Sequence, residues 1–284
     1  MNSTALSLYR NTPQITVTDN RGLAVRMLRY HRHPDSAAVT DERITRNNYN
    51  ARAQIIGSID PRLYSRQQTD ETLNPNFRWL PALHGDSLRT DSVDAGTRIA
   101  LRDIAGRPHL AISATGTTHR WLYEANTLPG RPLTVTEQPA GQTARISERF
   151  VWAADSAADK AFNLAGQPVR HYDSAGLSRT DSIALTGTPS AVSRQLLAET
   201  READWQGDES AWQDLLETER FTSRSSADAS GSVLSSTDAM GNSQRRAYDI
   251  AGQLKGCWLT LQGAAEQVIV KNLSWSAAGQ KLRE

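Results

Sequence analysis

The stretch Tyr-Asp-Ile-Ala-Gly-Gln-Leu at residues 248–254 is the most informative in the chain, because it carries an Asp-x-x-Gly motif directly after an aromatic residue. Aspartate is favoured at the first position of a type I turn, where its carboxylate accepts a nearby backbone N–H. Glycine at the fourth position tolerates a positive φ and closes a bulged hairpin. The motif therefore predicts two antiparallel strands joined at Asp249 and Gly252.

The same spacing recurs along the whole chain. With 19 Asp and 18 Gly, chance predicts about one Asp-x-x-Gly, yet seven are present. One of them, Asp204–Gly207, lies in a segment with a helical pattern and is set apart from the strand repeat. Including the variants Asn-Leu-Ala-Gly at 163–166 and Ser-Ala-Ala-Gly at 276–279, the predicted turn residues are Asp19, Gly22, Asp103, Gly106, Asn163, Gly166, Asp173, Gly176, Asp228, Gly231, Asp238, Gly241, Asp249, Gly252 and Gly279.

An aromatic residue stands before several of these turns, where it ends a strand. An aromatic side chain at a strand end can pack across the hairpin onto the partner strand. The predicted strand-end aromatics are Tyr49, which precedes a degenerate Asn-Ala-Arg-Ala copy at 50–53, and Phe162, Tyr172, Tyr248 and Trp275.

Short β-prone segments separate the turns, such as Pro-Leu-Thr-Val-Thr at 132–136 and Gln-Val-Ile-Val-Lys at 267–271. The expected fold is mainly β, an antiparallel array of hairpins, with two interruptions. Apolar spacing at 189–221 predicts a pair of short helices capped by Ser190 and Asp208 and connected by Asp204–Gly207. Prolines and asparagines at 60–96 predict a long loop with little regular structure.

Composition excludes several classes of function. A net charge of +1 offers no general attraction to nucleic acid or to an anionic membrane. The single cysteine, Cys257, lies in an apolar run, so it indicates a buried, inert thiol and allows no intrachain disulfide. The sequence shows no secretory signal and no apolar stretch of membrane-spanning length, so we expect folding in the cytoplasm and export by another route.

No catalytic, cofactor or metal site is predicted. His31 and His33 share one strand face, but no third metal ligand is evident near them. The carboxylates at 199–219 lie among polar residues, which is typical of a solvated surface. The motifs of serine hydrolases, phosphate-binding loops and zinc proteases are all missing from the sequence.

Residues 248–254, together with Phe-Asn-Leu-Ala-Gly-Gln-Pro at 162–168 and Tyr-Asp-Ser-Ala-Gly-Leu at 172–177, resemble the YD repeat of Rhs proteins. A wider resemblance is to the N-terminal part of TccC-like C components of bacterial Tc insecticidal toxin complexes. It is carried by the segments 74–76, 89–96, 185–197 and 203–207, and it spans essentially the whole chain.

The resemblance implies a structural function. In that family a B component of the SpvB/TcdB type and the C component form a hollow β-shell around a C-terminal toxin. The shell docks through B onto the A-component channel, and an aspartyl autoprotease in the Rhs core releases the toxin. We therefore expect residues 1–284 to form one segment of such a shell, released with a toxin complex. Neither the Rhs core nor an effector domain is expected within them.

Two other functions stay open at this stage. The seven Trp and seven Tyr residues suit a surface or glycan-binding module built from YD repeats. A hydrolase with dispersed carboxylates would have to use residues such as Glu199, Glu202 and Glu217. The recurrence of the aromatics before turns favours a structural role for them over a sugar-binding one.

Overall fold

The computed structural model describes residues 8–284, which form two compact units. The first contains residues up to 120 together with 139–142, and the second contains residues 121–138 and 143–284. Both units are built from antiparallel strands, so the predicted mainly β, hairpin-based fold is confirmed. None of the helices in this range is long and apolar enough to cross a membrane.

In the first unit each strand pairs with the next one along the chain. Residues 34–36 form a single 3₁₀ turn, and an α-helix, α1 (Pro61–Gln67), lies between the fourth and fifth strands. The strands are β1 (Ile15–Thr18), β2 (Ala24–His31), β3 (Asp41–Tyr49), β4 (Ile55–Ile59), β5 (Phe77–Pro81), β6 (Ser87–Ser92), β7 (Gly96–Arg102), β8 (Pro108–Ile112) and the first half of β9 (Thr118–Tyr123).

The second unit is also an antiparallel meander, and it ends in a small separate hairpin. Its helices are α2 (Ala157–Ala161) and α3 (Glu209–Trp212), and a 3₁₀ turn follows at 213–215. Its strands after β9 are β10 (Pro132–Gln138), β11 (Arg145–Trp152), β12 (Pro168–Asp173), β13 (Gly176–Ile183), β14 (Pro189–Leu196), β15 (Phe221–Ala227), β16 (Val233–Thr237), β17 (Ser243–Tyr248), β18 (Leu254–Thr260), β19 (Gln267–Val270), β20 (Ser274–Trp275) and β21 (Lys281–Arg283).

The predicted helical pair at 189–221 is wrong in its first half. Residues 189–196 form β14, which pairs with β13 on one side and β15 on the other. The i, i+4 spacing of Val192 and Leu196 suggested a helix, but two neighbouring strands supply the backbone hydrogen bonds that a lone segment would satisfy as a helix. Only α3 and the 3₁₀ turn at 213–215 are helical, and Asp208 precedes α3 without a side-chain cap bond.

The predicted long loop at 60–96 is also wrong, since this segment contains α1, β5 and β6. Asp60 accepts the Leu63 N–H at 2.8 Å and Pro61 occupies the first helical turn, so local capping starts the helix. Phe77 and Trp79 stack at 5.3 Å on one strand face. The prolines therefore mark the ends of elements here, with Pro61 starting α1 and Pro81 closing β5.

The largest buried cluster belongs to the second unit. Tyr172 and Trp205 are fully buried, and Leu177, Ala203, Trp212 and Leu216 pack with them. The segment between β14 and β15 folds back over β11, β12 and β13 and delivers both tryptophans. A sheet face that would otherwise be exposed to solvent thus gains a local core. Burying an aromatic side chain there contributes about 2–3 kcal/mol to the free energy of unfolding.

Candidate functional site

Five Asp-x-x-Gly copies share one turn geometry, at 19–22, 103–106, 228–231, 238–241 and 249–252. In each, the glycine N–H donates to the aspartate carbonyl at 3.0–3.1 Å, and the glycine φ lies between +77° and +91°. The aspartate N–H donates to the carbonyl of the residue after the glycine, which closes the hairpin. This is a type I turn followed by a glycine bulge.

The aspartate carboxylate holds the turn by accepting backbone N–H groups. Asp249 Oδ1 accepts the N–H of Ala251 and of Gln253, both at 2.9 Å. At Asp228, the Ser230 hydroxyl and the Ser232 N–H lower the pKa of the carboxyl. The turn therefore favours the ionised aspartate.

The turn at Asp173–Gly176 is different and more crowded. Asp173 and Gly176 face each other as a ladder pair, so only two residues form the loop. Arg194 binds both carboxylate oxygens of Asp173 at 2.6 and 2.8 Å. Burial alone would raise the pKa of Asp173, but these bonds and the Ala175 N–H lower it overall.

Asn163–Gly166 does not form the predicted repeat turn. Asn163 itself has a positive φ of +57°, and the Gly166 N–H donates to the Ala153 carbonyl rather than to Asn163. The motif follows the short helix α2, so its asparagine ends the helix in the left-handed region that asparagine tolerates. Gly279 does lie in a turn, in which its N–H donates to the Ser276 carbonyl. In the degenerate copy at 50–53, Ala53 has the positive φ that glycine has elsewhere.

Three of the five predicted aromatics make the same contact. The Tyr49 hydroxyl donates to the Ala24 carbonyl at 3.2 Å, and the Tyr248 hydroxyl to the Val233 carbonyl at 3.0 Å. The Trp275 indole N–H donates to the Leu254 carbonyl at 2.7 Å. Each acceptor stands two residues after the glycine of an earlier turn, so the aromatic reaches back to that turn and not across its own hairpin.

Trp152 makes the same contact and was missed in the sequence. Its indole N–H donates to the carbonyl of Pro132, again two residues after a glycine, Gly130. No Asp-x-x-Gly follows Trp152, because a 13-residue excursion containing α2 separates Ala153 from its partner Gln167. An aromatic residue at the end of a strand was the only available signal.

The two remaining predicted aromatics differ from this pattern. Phe162 caps the C-terminus of α2, and 56% of it is exposed. Tyr172 is fully buried against Trp205 and Trp212, with ring centroids 5.0 and 4.8 Å away, and its hydroxyl donates to Glu209 at 2.6 Å. Burial raises the pKa of Tyr172, and the Glu209 carboxylate raises it further.

Asp204–Gly207 lies outside the turn repeat, as the sequence indicated, but it does not connect two helices. Asp204 Oδ1 accepts the Ile146 N–H at 2.9 Å, and the Trp205 N–H donates to the Ile146 carbonyl at 3.0 Å. These bonds tie the segment to β11 and bury Trp205. The sequence did not predict this anchoring role for either tryptophan.

The candidate chemical groups do not come together. His31 contacts Arg43 at 3.2 Å, while His33 accepts the Asp35 N–H. Within residues 8–284, no three metal-ligating side chains converge. Glu202 lies 3.7 Å from Arg145 with 90% of its side chain exposed.

A ladder of hairpins joined by Asp-x-x-Gly turns, with aromatics reaching back to earlier turns, defines a β-hairpin repeat protein. The chain is 53% identical to toxin subunit YenC1 of Yersinia entomophaga over its full length, and 48% identical to YenC2 over 98% of it. It spans only 29% and 30% of those proteins. No protein-family model matches it.

Solved structures agree with these relatives. The crystal structure of TcdB2-TccC3 matches with a TM-score of 0.91 and 50% identity, covering 99% of this chain and 14% of that one. A Photorhabdus luminescens Tc holotoxin pore carrying a TccC3 mutation matches with a TM-score of 0.91 and 51% identity. By sequence and fold, this chain is thus similar to the C component of an insecticidal toxin complex.

Proposed function

We propose that this chain is a structural part of a toxin complex and contributes a segment of a hollow β-shell. The observation that carries the proposal is the 0.91 TM-score at 50% identity to TcdB2-TccC3 over 99% of the chain. At that identity the likeness extends beyond the general fold. The YD-type turns support the same assignment, because they build long hairpins with little core of their own.

The proposed partner is a B component of the SpvB/TcdB type, and through it the A-component channel. TcdB2 and TccC3 form a complex in the solved structure, and a holotoxin pore contains TccC3. We further propose that the shell encloses a toxin and is released with the complex. In this proposal residues 1–284 form part of the wall of the β-shell and supply no catalytic group.

Co-expression tests the partnership. The full chain and a tagged TcdB-like B component should elute together in size-exclusion chromatography after affinity capture of the tag. An unrelated tagged β-propeller protein serves as the control for non-specific capture. Elution of the two proteins as separate peaks, each folded by circular dichroism, would contradict the proposal.

The contacts of three aromatic residues argue against the glycan-binding alternative. Tyr49, Tyr248 and Trp275 donate their hydroxyl or indole N–H groups to backbone carbonyls, so these polar atoms are not free to bind a sugar. A glycan array with the purified chain should show no saturable binding that depends on these three residues.

A further inference from the structure

We propose that a groove on the first unit binds an extended acidic peptide segment. The groove, of about 660 Å³, runs over β3, β4 and β5 beside the C-terminal end of α1. Arg46, Asn48 and Arg78 line it, together with Gln67 from α1 and the apolar residue Leu80.

The strand register places the polar side chains on one face. Asn48 pairs with Gly57, and Gly57 pairs with Arg78, so these three form a row across adjacent strands. Arg46 is two residues from Asn48 and therefore points to the same side. Gly57 has no side chain, and the Asn48 side-chain nitrogen lies 3.7 Å from where a Cβ of residue 57 would stand.

On this face a carboxylate lies opposite Arg78 in the strand ladder, but none lies opposite Arg26 or Arg46. Arg26 pairs directly with Arg46 across β2 and β3, an arrangement that is destabilising for like charges. Among residues 8–284, none of Arg26, Arg46 and Arg78 forms an ion pair with a carboxylate. Asp91 lies directly opposite Arg78 across β5 and β6 and interacts with its charge, while its Oδ1 also accepts bonds from Arg89 and Thr97.

The distribution of charge along the chain also gives the first part an excess of positive charge. Residues 1–120 carry 16 arginines against 11 carboxylates, whereas residues 121–284 carry 16 basic and 20 acidic residues. The near-neutral total therefore hides a basic first part. An anionic ligand would relieve the repulsion between Arg26 and Arg46 and gain bidentate bonds from the guanidinium groups.

The groove suits a peptide better than a small anion. Its volume lies within the range of sites that hold drug-sized ligands, far larger than a phosphate ion needs. Alternate side chains of an extended peptide lie about 6.6 Å apart, which puts two carboxylates within reach of Arg46 and Arg78. Asn48 and Gln67 offer amides to a peptide backbone, while Leu80, two residues from Arg78 on the same strand face, offers an apolar contact.

Fluorescence anisotropy with a labelled deca-glutamate peptide and the full chain tests the proposal. We expect saturable binding, no binding of deca-lysine, and about tenfold or greater weakening in the double variant R46Q/R78Q. Arg98→Gln is the matched control, because Arg98 is equally exposed but pairs with Thr90 on the opposite face. Its affinity should match that of the unsubstituted chain.

Asn48→Asp provides a second variant that keeps both arginines. It places a carboxylate in the groove at an exposed position, so it should weaken binding while the thermal melt stays unchanged. An equal loss in R98Q would overturn the proposal in favour of diffuse attraction. Binding of a sulfated heparin oligosaccharide or inorganic phosphate that depends on Arg46 and Arg78, with none of deca-glutamate, would also overturn it.

Discussion

The turn glycines differ in their surroundings. At some positions only the backbone angle requires glycine, and at others a side chain would also collide with its neighbours. Gly252 has a φ of +77°, and a Cβ added there would meet nothing within 4 Å, so only its backbone angle requires glycine. Gly176 has a φ of +126°, and a Cβ there would collide with the Gln195 carbonyl oxygen and lie 2.7 Å from the Leu197 nitrogen. Both of these neighbours are backbone atoms that cannot move aside cheaply.

Substituting these two glycines by alanine should therefore give unequal losses. Gly252→Ala should cost about 1 kcal/mol through its positive φ, and Gly176→Ala clearly more, about 3 kcal/mol or above. Denaturant unfolding of the two variants side by side measures the difference. Equal losses would mean that the close approach of β14 to Gly176 is not rigid.

The turn aspartates make stability depend on pH. A carboxyl whose pKa is lowered on folding stabilises the fold above its unfolded pKa, and that contribution is lost as pH falls through the lowered folded value. The Asn242 side chain and nearby N–H groups lower the pKa of Asp238, and the Ser230 hydroxyl lowers the pKa of Asp228.

Stability should thus fall as pH drops below about 4, the unfolded aspartate pKa. The double variant D228N/D238N should show a flatter acid limb, because asparagine keeps an acceptor oxygen and cannot be protonated in this range. Thermal melts from pH 6 to pH 2.5 measure this. An unaltered acid limb in the double variant would contradict the role of these carboxylates.

At the scale of elements, the segment between β14 and β15 acts as a strap over the sheet. Trp205 is fully buried, and its indole N–H donates to the Asp173 carbonyl at 3.2 Å. The Glu209 carboxylate of the same strap accepts hydrogen bonds from the Arg170 guanidinium and the Tyr172 hydroxyl. Burial alone raises the pKa of Glu209, but both of these bonds lower it overall.

Removing the strap's anchor should destabilise the second unit strongly. Trp205→Ala should cost about 3–5 kcal/mol through lost burial and the cavity left behind. Leu185→Ala is the matched control, since Leu185 lies at a turn tip with 95% of its surface exposed, and it should change little. Denaturant unfolding measures both, and a loss below about 1 kcal/mol in Trp205→Ala would show that the strap is only loosely attached.

At the scale of the molecule, the ladder of the second unit ends in β19. This strand pairs with β18, while Val268 and Ile269 stay 56% and 55% exposed. An apolar edge strand readily pairs with another chain.

The isolated chain should therefore self-associate with rising concentration. Ile269→Lys should reduce the association, because a lysine on an edge strand opposes pairing. Ile250→Lys is the control, as Ile250 is fully exposed at a turn tip and away from the edge. Sedimentation velocity measures the oligomers, and equal effects of the two variants would show that general hydrophobicity drives association.

The hairpin array could be predicted from the amino-acid sequence, because an Asp-x-x-Gly turn is a local device. The backbone hydrogen bonds of the turn at Asp249 and Gly252 all lie within five residues, so they do not depend on the rest of the chain. Tyr248 indicated a strand end in the same way. Periodic local patterns of this kind predicted the fold class, most of the turns and the positions of three reaching aromatics.

Features that depend on neighbouring strands emerged only in the folded chain. Residues 189–196 became a strand because β13 and β15 offer hydrogen bonds on both sides. Trp205 became a core residue because 146 and 173, distant in sequence, present backbone partners to it. The arginines at 26 and 46 meet only through the register of β2 and β3. Such contacts arise from pairing across the sheet, which no local pattern encodes.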